Sequence, residues 1–215
     1  MSLKVWKPDG ARRGVLVLQE IFGVGAYIEA VCTRLAAAGY VAAAPDVFWR
    51  FSPGWAAGHD QAGLEASLDK VQQLDVPGAI TDCAAALEHL SDATGSPAAV
   101  LGFCLGGTLA WGVADQGSPA ACVSYYGSGV PAMLGVIDRV TCPTLFHFGA
   151  DDPYISSDAI DAVAAAVLGR EGFVLNVEHA GHAFDNHESE MFWNEAAASA
   201  AWSKTMAFLA EHHAP

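Results

Sequence analysis

The chain has 215 residues, enough for one domain with a substantial core and too few to argue for two. Hydrophobic residues make up 53% and charged residues 16%, which fits a globular and rather apolar protein. The net charge of −14 argues against nucleic acid or an anionic membrane surface as a partner. No apolar run is long enough to span a bilayer, and Met1–Pro8 lacks the apolar core and cleavage site of a secretion signal. Five cysteines without CxxC spacing suit reduced thiols and a cytoplasmic location.

Apolar runs alternate with helical patterns along the chain. Residues 14–19 read as a buried strand, and residues 27–38 as a helix ended by Gly39. Residues 40–45 are the next strand. Residues 48–63, with clusters of Trp, Phe and Gly, read as an irregular loop. Residues 77–90 are helical, with Pro77 at a tolerated first-turn position. Strands are predicted at 98–103, 121–126, 144–148 and 173–178, and helices at 157–168 and 189–211. The strands are nearly continuous apolar runs, as expected when helices cover both faces of a sheet. The expectation is a single α/β domain with a mostly parallel central sheet.

Gly102-Phe103-Cys104-Leu105-Gly106-Gly107 joins a strand to a helix. It matches Gly-x-nucleophile-x-Gly, the nucleophile elbow, with cysteine in place of the commoner serine. An isolated cysteine usually belongs to the core. Here the flanking glycines leave room for a strained apex, and a helix N-terminus beside the sulfur favours a thiolate and a bound oxyanion.

A cysteine nucleophile needs a base, and the base needs an orienting group. Two later strand-end loops offer them in α/β-hydrolase order, acid and then histidine. Gly149-Ala150-Asp151-Asp152 supplies the acid: Asp152 is preferred, with Asp151 as the alternative. His179-Ala180-Gly181-His182 supplies the base: His182, after the loop-tip glycine, is preferred to His179. The first strand ends in Gln19-Glu20-Ile21-Phe22-Gly23, which puts a carboxylate at the same sheet edge. The Ile21 and Leu105 amides would then form an oxyanion hole. Phe22, Trp49, Phe51 and Trp55 are candidates for the pocket wall. The histidines show no compact ligand spacing, so no metal is expected.

These residues resemble the dienelactone hydrolase (carboxymethylenebutenolidase) family along the whole chain. The likeness rests on Gln19–Gly23, Ala44–Asp46, Gly102–Gly107, Ser124–Gly127, Phe146–Asp152 and Ala180–Phe184. It implies an α/β-hydrolase fold, a Cys104–His182–Asp152 triad, Glu20 controlling the protonation of Cys104, and Tyr125 near the pocket. It also implies hydrolysis of a small cyclic ester through a thioester, without metal or organic cofactor. The sequence departs from the family pattern at three places. Family members active on dienelactone hold its carboxylate with two arginines. One lies four residues after the histidine, where this chain has Asn186, and the other after the third strand, where no arginine occurs between Arg50 and Arg139. The serine after the histidine is Ala183. Losing an arginine partner forfeits about 1.5–3 kcal/mol per charge-assisted hydrogen bond. The expected substrate is therefore a neutral lactone or ester, met by a monomer or small homo-oligomer. The alternative is a non-hydrolytic redox sensor or ligand-binding relative.

Overall fold

The structure, a computed structural model, describes residues 1–215. Seven strands form one sheet: β1 (Leu3–Trp6), β2 (Gly14–Leu18), β3 (Val41–Pro45), β4 (Ala99–Phe103), β5 (Cys122–Tyr125), β6 (Thr144–Gly149) and β7 (Phe173–Glu178). Their spatial order is β1-β3-β2-β4-β5-β6-β7. Only β1 runs antiparallel, against β3. The expected mostly parallel α/β architecture is what the chain adopts. Strands β2 to β6 are buried along their whole length, which explains their unbroken apolar runs.

Six α-helices, α1 (Ala26–Ala37), α2 (Gln61–Val71), α3 (Val76–Thr94), α4 (Leu105–Gln116), α5 (Ser157–Val167) and α6 (Glu195–His212), and a short 3-10 helix at Pro131–Val136 complete the fold. Parallel strands must be joined by right-handed crossovers. The step from β2 to β3 goes one way along the sheet, and every later step goes the other way. Helix α1 therefore covers one face, while α3, α4 and α5 cover the opposite one. Helix α6 joins α1 on its face, where the Arg34 guanidinium lies 3.7 Å from the centre of the Trp202 ring. The reversal leaves a crevice at the carboxyl ends of β2 and β4, the place where open α/β sheets bind ligands.

Three local expectations are corrected. Strand β1 was not predicted: it is a short edge strand whose side chains stay half exposed, so it lacks the apolar signature. The segment read as a loop to residue 63 ends in α2, capped by the Asp60 carboxylate, which accepts from the Gly63 N–H. The last helix begins at Glu195, not Ser189. The Asn194 side chain caps it by accepting from the Ala197 N–H, while residues 189–194 turn back to the sheet edge, where the Ser189 hydroxyl donates to the His59 carbonyl.

Candidate active site

Cys104 lies at the apex between β4 and α4 with φ 53° and ψ −114°, a conformation that L-residues rarely adopt. The glycines around it are required by space. A Cβ on Gly102 would come within 1.9 Å of the Gly106 carbonyl oxygen, and one on Gly106 within 2.2 Å of the Leu18 carbonyl oxygen. The apex is pinned by the Cys104 N–H donating to the Tyr125 carbonyl and the Thr108 N–H donating to the Cys104 carbonyl.

His182 follows the tip of the loop after β7. Its Nε2 lies 3.1 Å from the Cys104 Sγ, and its Nδ1 lies 2.7 Å from Asp152 Oδ2. The other Asp152 oxygen accepts from the Tyr154 N–H at 2.8 Å, which fixes the carboxylate. Asp151 is exposed and only its backbone is engaged, its N–H donating to the Ala180 carbonyl. His179 is exposed as well. Of the paired candidates, the geometry thus unites Asp152 and His182 with the sulfur. Burial works against the imidazolium of His182. Electrostatic attraction to Cys104 and the hydrogen bonds to Asp152 and Cys104 outweigh it and raise the pKa to about 10. At neutral pH both ring nitrogens then carry protons, one facing the carboxylate and one facing the sulfur.

Glu20 leaves the end of β2 and is 1% exposed. Burial, reinforced by the negative charge of Asp185, raises its pKa to about 8 against the opposing effects of His182, Asn186 and Tyr126. Its Oε2 accepts from the Asn186 amide at 2.7 Å, and its Oε1 accepts from the Tyr126 hydroxyl at 3.5 Å. Asn186 therefore holds the carboxyl as a neutral donor. Its amide also donates to His59 Nδ1 at 2.6 Å, and its own oxygen accepts from the Glu188 N–H. The Glu20 backbone is clamped by Gln19, whose amide donates to the Glu20 carbonyl and whose oxygen accepts from the Val47 N–H. The following turn is strapped by the Ala57 N–H, which donates to the Phe22 carbonyl. Gly23 is needed there, since a Cβ would meet the Trp55 carbonyl oxygen at 1.9 Å.

Ile21 comes next, and its N–H makes no hydrogen bond within the protein. Leu105 is the first residue of α4, where a backbone N–H has no intrahelical acceptor. Both residues line the same cavity as Cys104, Glu20 and His182, together with Phe22. Its volume is about 310 Å³ and most of its wall is apolar. Helix α2 supplies one side through Leu64, Leu68 and Val71, and Phe192 closes another. No lysine or arginine lines it.

Four expected pocket residues, Trp49, Phe51, Trp55 and Tyr125, lie elsewhere. Trp49 donates its indole N–H to Asp82 at 2.9 Å, because α3 offers the nearest acceptor, and Arg50 sits over its ring while pairing with the same carboxylate. Phe51 and Trp55 likewise pack against the core outside the cavity. Tyr125, the last residue of β5, points into the core, where its hydroxyl meets Thr205 at 2.6 Å and its ring lies 4.3 Å from His147. Its neighbour Tyr126 approaches the site instead, beside Tyr154, which lines the cavity with its ring centre 5.0 Å from that of His182. A φ of 38° turns Tyr126 out of the strand, and its ring centre lies 5.2 Å from that of His182. Ala183, after His182, also has positive φ, so all three non-glycine residues with positive φ cluster here. The sequence reading did not assign roles to Tyr126, His59, Asp185 or α2. The paired tyrosines of 125–126 were the one available signal, since a strand alternates its faces.

No group of three or more His, Cys, Asp or Glu side chains is arranged to hold a metal ion. The sequence model of the dienelactone hydrolase family matches residues 2–213. The chain belongs to this family of hydrolases. It is 32% identical over 189 residues to a carboxymethylenebutenolidase from Pseudomonas sp. (strain P51), covering 86% of this chain and 79% of that one. It is 32% identical over 196 residues to the carboxymethylenebutenolidase of Pseudomonas putida, covering 86% and 80%. Among solved structures, a dienelactone hydrolase-like promiscuous phosphotriesterase from metagenomic libraries superposes with a TM-score of 0.79 at 23% identity, covering 99% of each chain, a likeness of fold. As a family member the chain has the α/β-hydrolase fold inferred from its motifs.

Proposed function

We propose that this dienelactone hydrolase-family protein cleaves neutral, apolar lactones or esters, with Cys104 as nucleophile and His182, oriented by Asp152, as general acid and base. The observation that carries the reading is the unbroken hydrogen-bonded line Asp152–His182–Cys104 in an apolar cavity of about 310 Å³ that no lysine or arginine lines. The curated relatives are named carboxymethylenebutenolidases, enzymes of a lactone that carries a carboxylate. In this chain the position of one carboxylate-binding arginine is Asn186, which is committed to Glu20 and His59. A charged substrate would have to shed its water into an apolar wall with nothing to replace it.

In the proposed sequence, the carbonyl oxygen of the substrate sits between the Ile21 and Leu105 N–H groups. The Cys104 sulfur attacks the carbonyl carbon as a thiolate, and the negative oxygen is held by those two donors. The intermediate collapses, the C–O bond to the alcohol part breaks, and the leaving oxygen takes a proton from the His182 imidazolium. The acyl group is now a thioester on Cys104. Neutral His182 then takes a proton from water as it attacks the thioester. The C–S bond breaks, the sulfur leaves as a thiolate beside the restored imidazolium, and the carboxylic product departs. Before substrate binds, Glu20 is protonated and therefore uncharged beside the sulfur at pH values below its pKa of about 8. The alternative of a redox-sensing cysteine gains no support from the relatives. Five free cysteines, four of them buried, suit work in the reducing cytoplasm.

The test is hydrolysis of a neutral aryl acetate and a panel of neutral and carboxylated lactones by the purified chain and by Cys104→Ala. Turnover of the neutral substrates that vanishes in the variant is the expected result. Preferential turnover of the carboxylated lactones would overturn the substrate class. Activity surviving in Cys104→Ala would overturn the nucleophile.

A further inference from the structure

Behind the cavity wall lies a second buried carboxyl group that the reaction above does not use. Asp185 is 2% exposed, and its Oδ1 has no hydrogen-bond partner. Its Oδ2 accepts from the Tyr27 hydroxyl at 2.8 Å. The Tyr27 oxygen lies 3.3 Å from the Tyr126 oxygen, and the Tyr126 oxygen lies 3.5 Å from Glu20 Oε1. Glu20, Tyr126, Tyr27 and Asp185 thus form one line of four buried oxygen-bearing side chains, of which only Glu20 lines the cavity. They come from the end of β2, the turn after β5, helix α1 and the loop after β7.

We propose that Asp185 is a proton store for Glu20: the two carboxyl groups share one proton, which passes between them through the hydroxyls of Tyr126 and Tyr27. The proposal adds a positioning residue to the hydrolase reading, and its consequence for turnover rests on that reading.

The transfer balances. With the proton on Glu20, Glu20 donates to Tyr126, Tyr126 to Tyr27, and Tyr27 to ionised Asp185. Each hydroxyl passes on its own proton as it accepts another, so Glu20 ends charged, Asp185 ends neutral, and both tyrosines are unchanged. The reverse run restores the first state. The hydroxyls relay without ionising, because burial pushes both phenols further above their ordinary range.

The surroundings favour one shared proton over two or none. Burial raises Asp185 to about 6, opposed by Tyr27 and by the charge of Arg34. With Glu20 at about 8, the pair holds a single proton between those values. The other groups facing the line are Tyr125 at the end of β5, which feels the charge of Asp185, and His182, which attracts a Glu20 anion. His59 touches it through Asn186, and His187 packs its ring 5.7 Å from that of Tyr27. A buried carboxyl with no proton route can change charge only by opening the site to water. The relay lets Glu20 gain or lose its charge beside Cys104 while the cavity is closed over a substrate.

The experiment is a carboxyl-carbon NMR titration of the full chain, labelled at Asp and Glu, for the native protein, Asp185→Asn and Tyr27→Phe. In the native protein the Glu20 and Asp185 carbons should each report two steps, as for a coupled pair. Asp185→Asn should leave Glu20 with one step at a lower midpoint, because a like charge is gone. Tyr27→Phe should also simplify the Glu20 curve and should raise the Asp185 midpoint, because Asp185 loses its donor. A Glu20 curve in either folded variant that coincides with the native one overturns the proposal. If Asp185→Asn does not fold, Tyr27→Phe alone decides. In parallel, the pH profile of kcat/KM on a neutral aryl acetate should move with the Glu20 midpoint. Coupled titration without turnover in any protein would sink the hydrolase reading and leave the relay standing. Turnover without coupling would do the reverse.

Discussion

The Nε2 of His182 lies 3.1 Å from the Sγ of Cys104, although 78 residues separate them in the chain. The contact exists because β4 and β7 both end at the same edge of a parallel sheet, and each is followed by a loop strained at one residue. Cys104 has φ 53° and Ala183 has φ 52°. Such conformations persist only when the surrounding structure enforces them. At Cys104 the enforcing contacts are the close approaches of Gly102 and Gly106 to backbone carbonyls.

The first prediction concerns Asp152. Its Oδ2 accepts from His182 at 2.7 Å, so the carboxylate both orients the ring and supports its positive charge. Asp152→Asn should keep the fold and lower kcat on a neutral ester on the order of 10³- to 10⁴-fold, as for other triads. Asp151→Asn, on an exposed side chain, should stay within about twofold of the native rate. Steady-state kinetics on the two variants decide which aspartate serves the histidine. A large loss in Asp151→Asn would reverse the assignment.

The second prediction concerns the elbow glycines. A methyl on Gly106 would push β2 and the start of α4 apart, with the Leu18 carbonyl only 2.2 Å away. Gly106→Ala should cost about 3 kcal/mol of stability or more, as overpacking against backbone does. Gly135→Ala is the control, since a Cβ there meets nothing within 4 Å. Chemical denaturation of both proteins provides the comparison, and equal midpoints would contradict the packing argument.

The third prediction is a dependence of stability on pH. Glu20 has a folded pKa of about 8 against an ordinary 4.5. The folded protein therefore holds more protons between these values, and this contribution to stability falls as pH rises from 4.5 through 8. His182, raised from 6.5 to about 10, acts in the same direction: its contribution is complete below 6.5 and is lost as pH rises through 10. Thermal melts should give a higher Tm at pH 5.5 than at pH 8.5. Glu20→Gln should flatten the part of this slope below pH 8 and leave the His182 part. Superimposable Tm curves for the two proteins would refute the buried neutral carboxyl.

The fourth prediction is a change of specificity. Leu68 lines the cavity from α2 yet is 46% exposed, so a longer side chain can reach in without overpacking. Leu68→Arg should raise kcat/KM for a carboxylated ester relative to its neutral analogue by about tenfold, equivalent to one charge-assisted hydrogen bond. An unchanged ratio would show that the missing cation is not what sets the preference.

The fifth prediction checks a corrected assignment. Trp49 is bound to Asp82 and Arg50, away from the cavity. Trp49→Phe should lose about 0.5–1.5 kcal/mol of stability with the indole hydrogen bond and leave kcat/KM within about twofold. A tenfold rise in KM would put Trp49 back in the pocket.

Much of this site is legible without coordinates because its chemistry is written in short motifs. An elbow needs its glycines within two or three residues of the nucleophile, and the acid and histidine follow strands whose apolar runs are easy to see. Side-chain direction at strand ends is harder to read. Tyr125 and Tyr126 are adjacent and identical in type, yet one bonds Thr205 in the core and the other reaches Glu20. Helix α2 was hidden because its apolar residues follow a stretch rich in Trp and Gly, and they are only partly buried, lining the cavity at the edge of the core.

The sequence alone determined a mostly parallel sheet without its edge strand β1, the order of the elbow cysteine, the strand-end aspartates and the loop histidines along the chain, and the absence of arginine between Arg50 and Arg139. These follow from periodicity, local sterics and composition, which act over a few residues. Only the tertiary structure decided that Asp152 and not Asp151 meets His182, that Asn186 is engaged by Glu20, and that Tyr27 and Tyr126 link Glu20 to Asp185. Those relationships join residues up to 166 positions apart. They depend on which way each side chain leaves its strand and on which polar atoms burial forces into partnership.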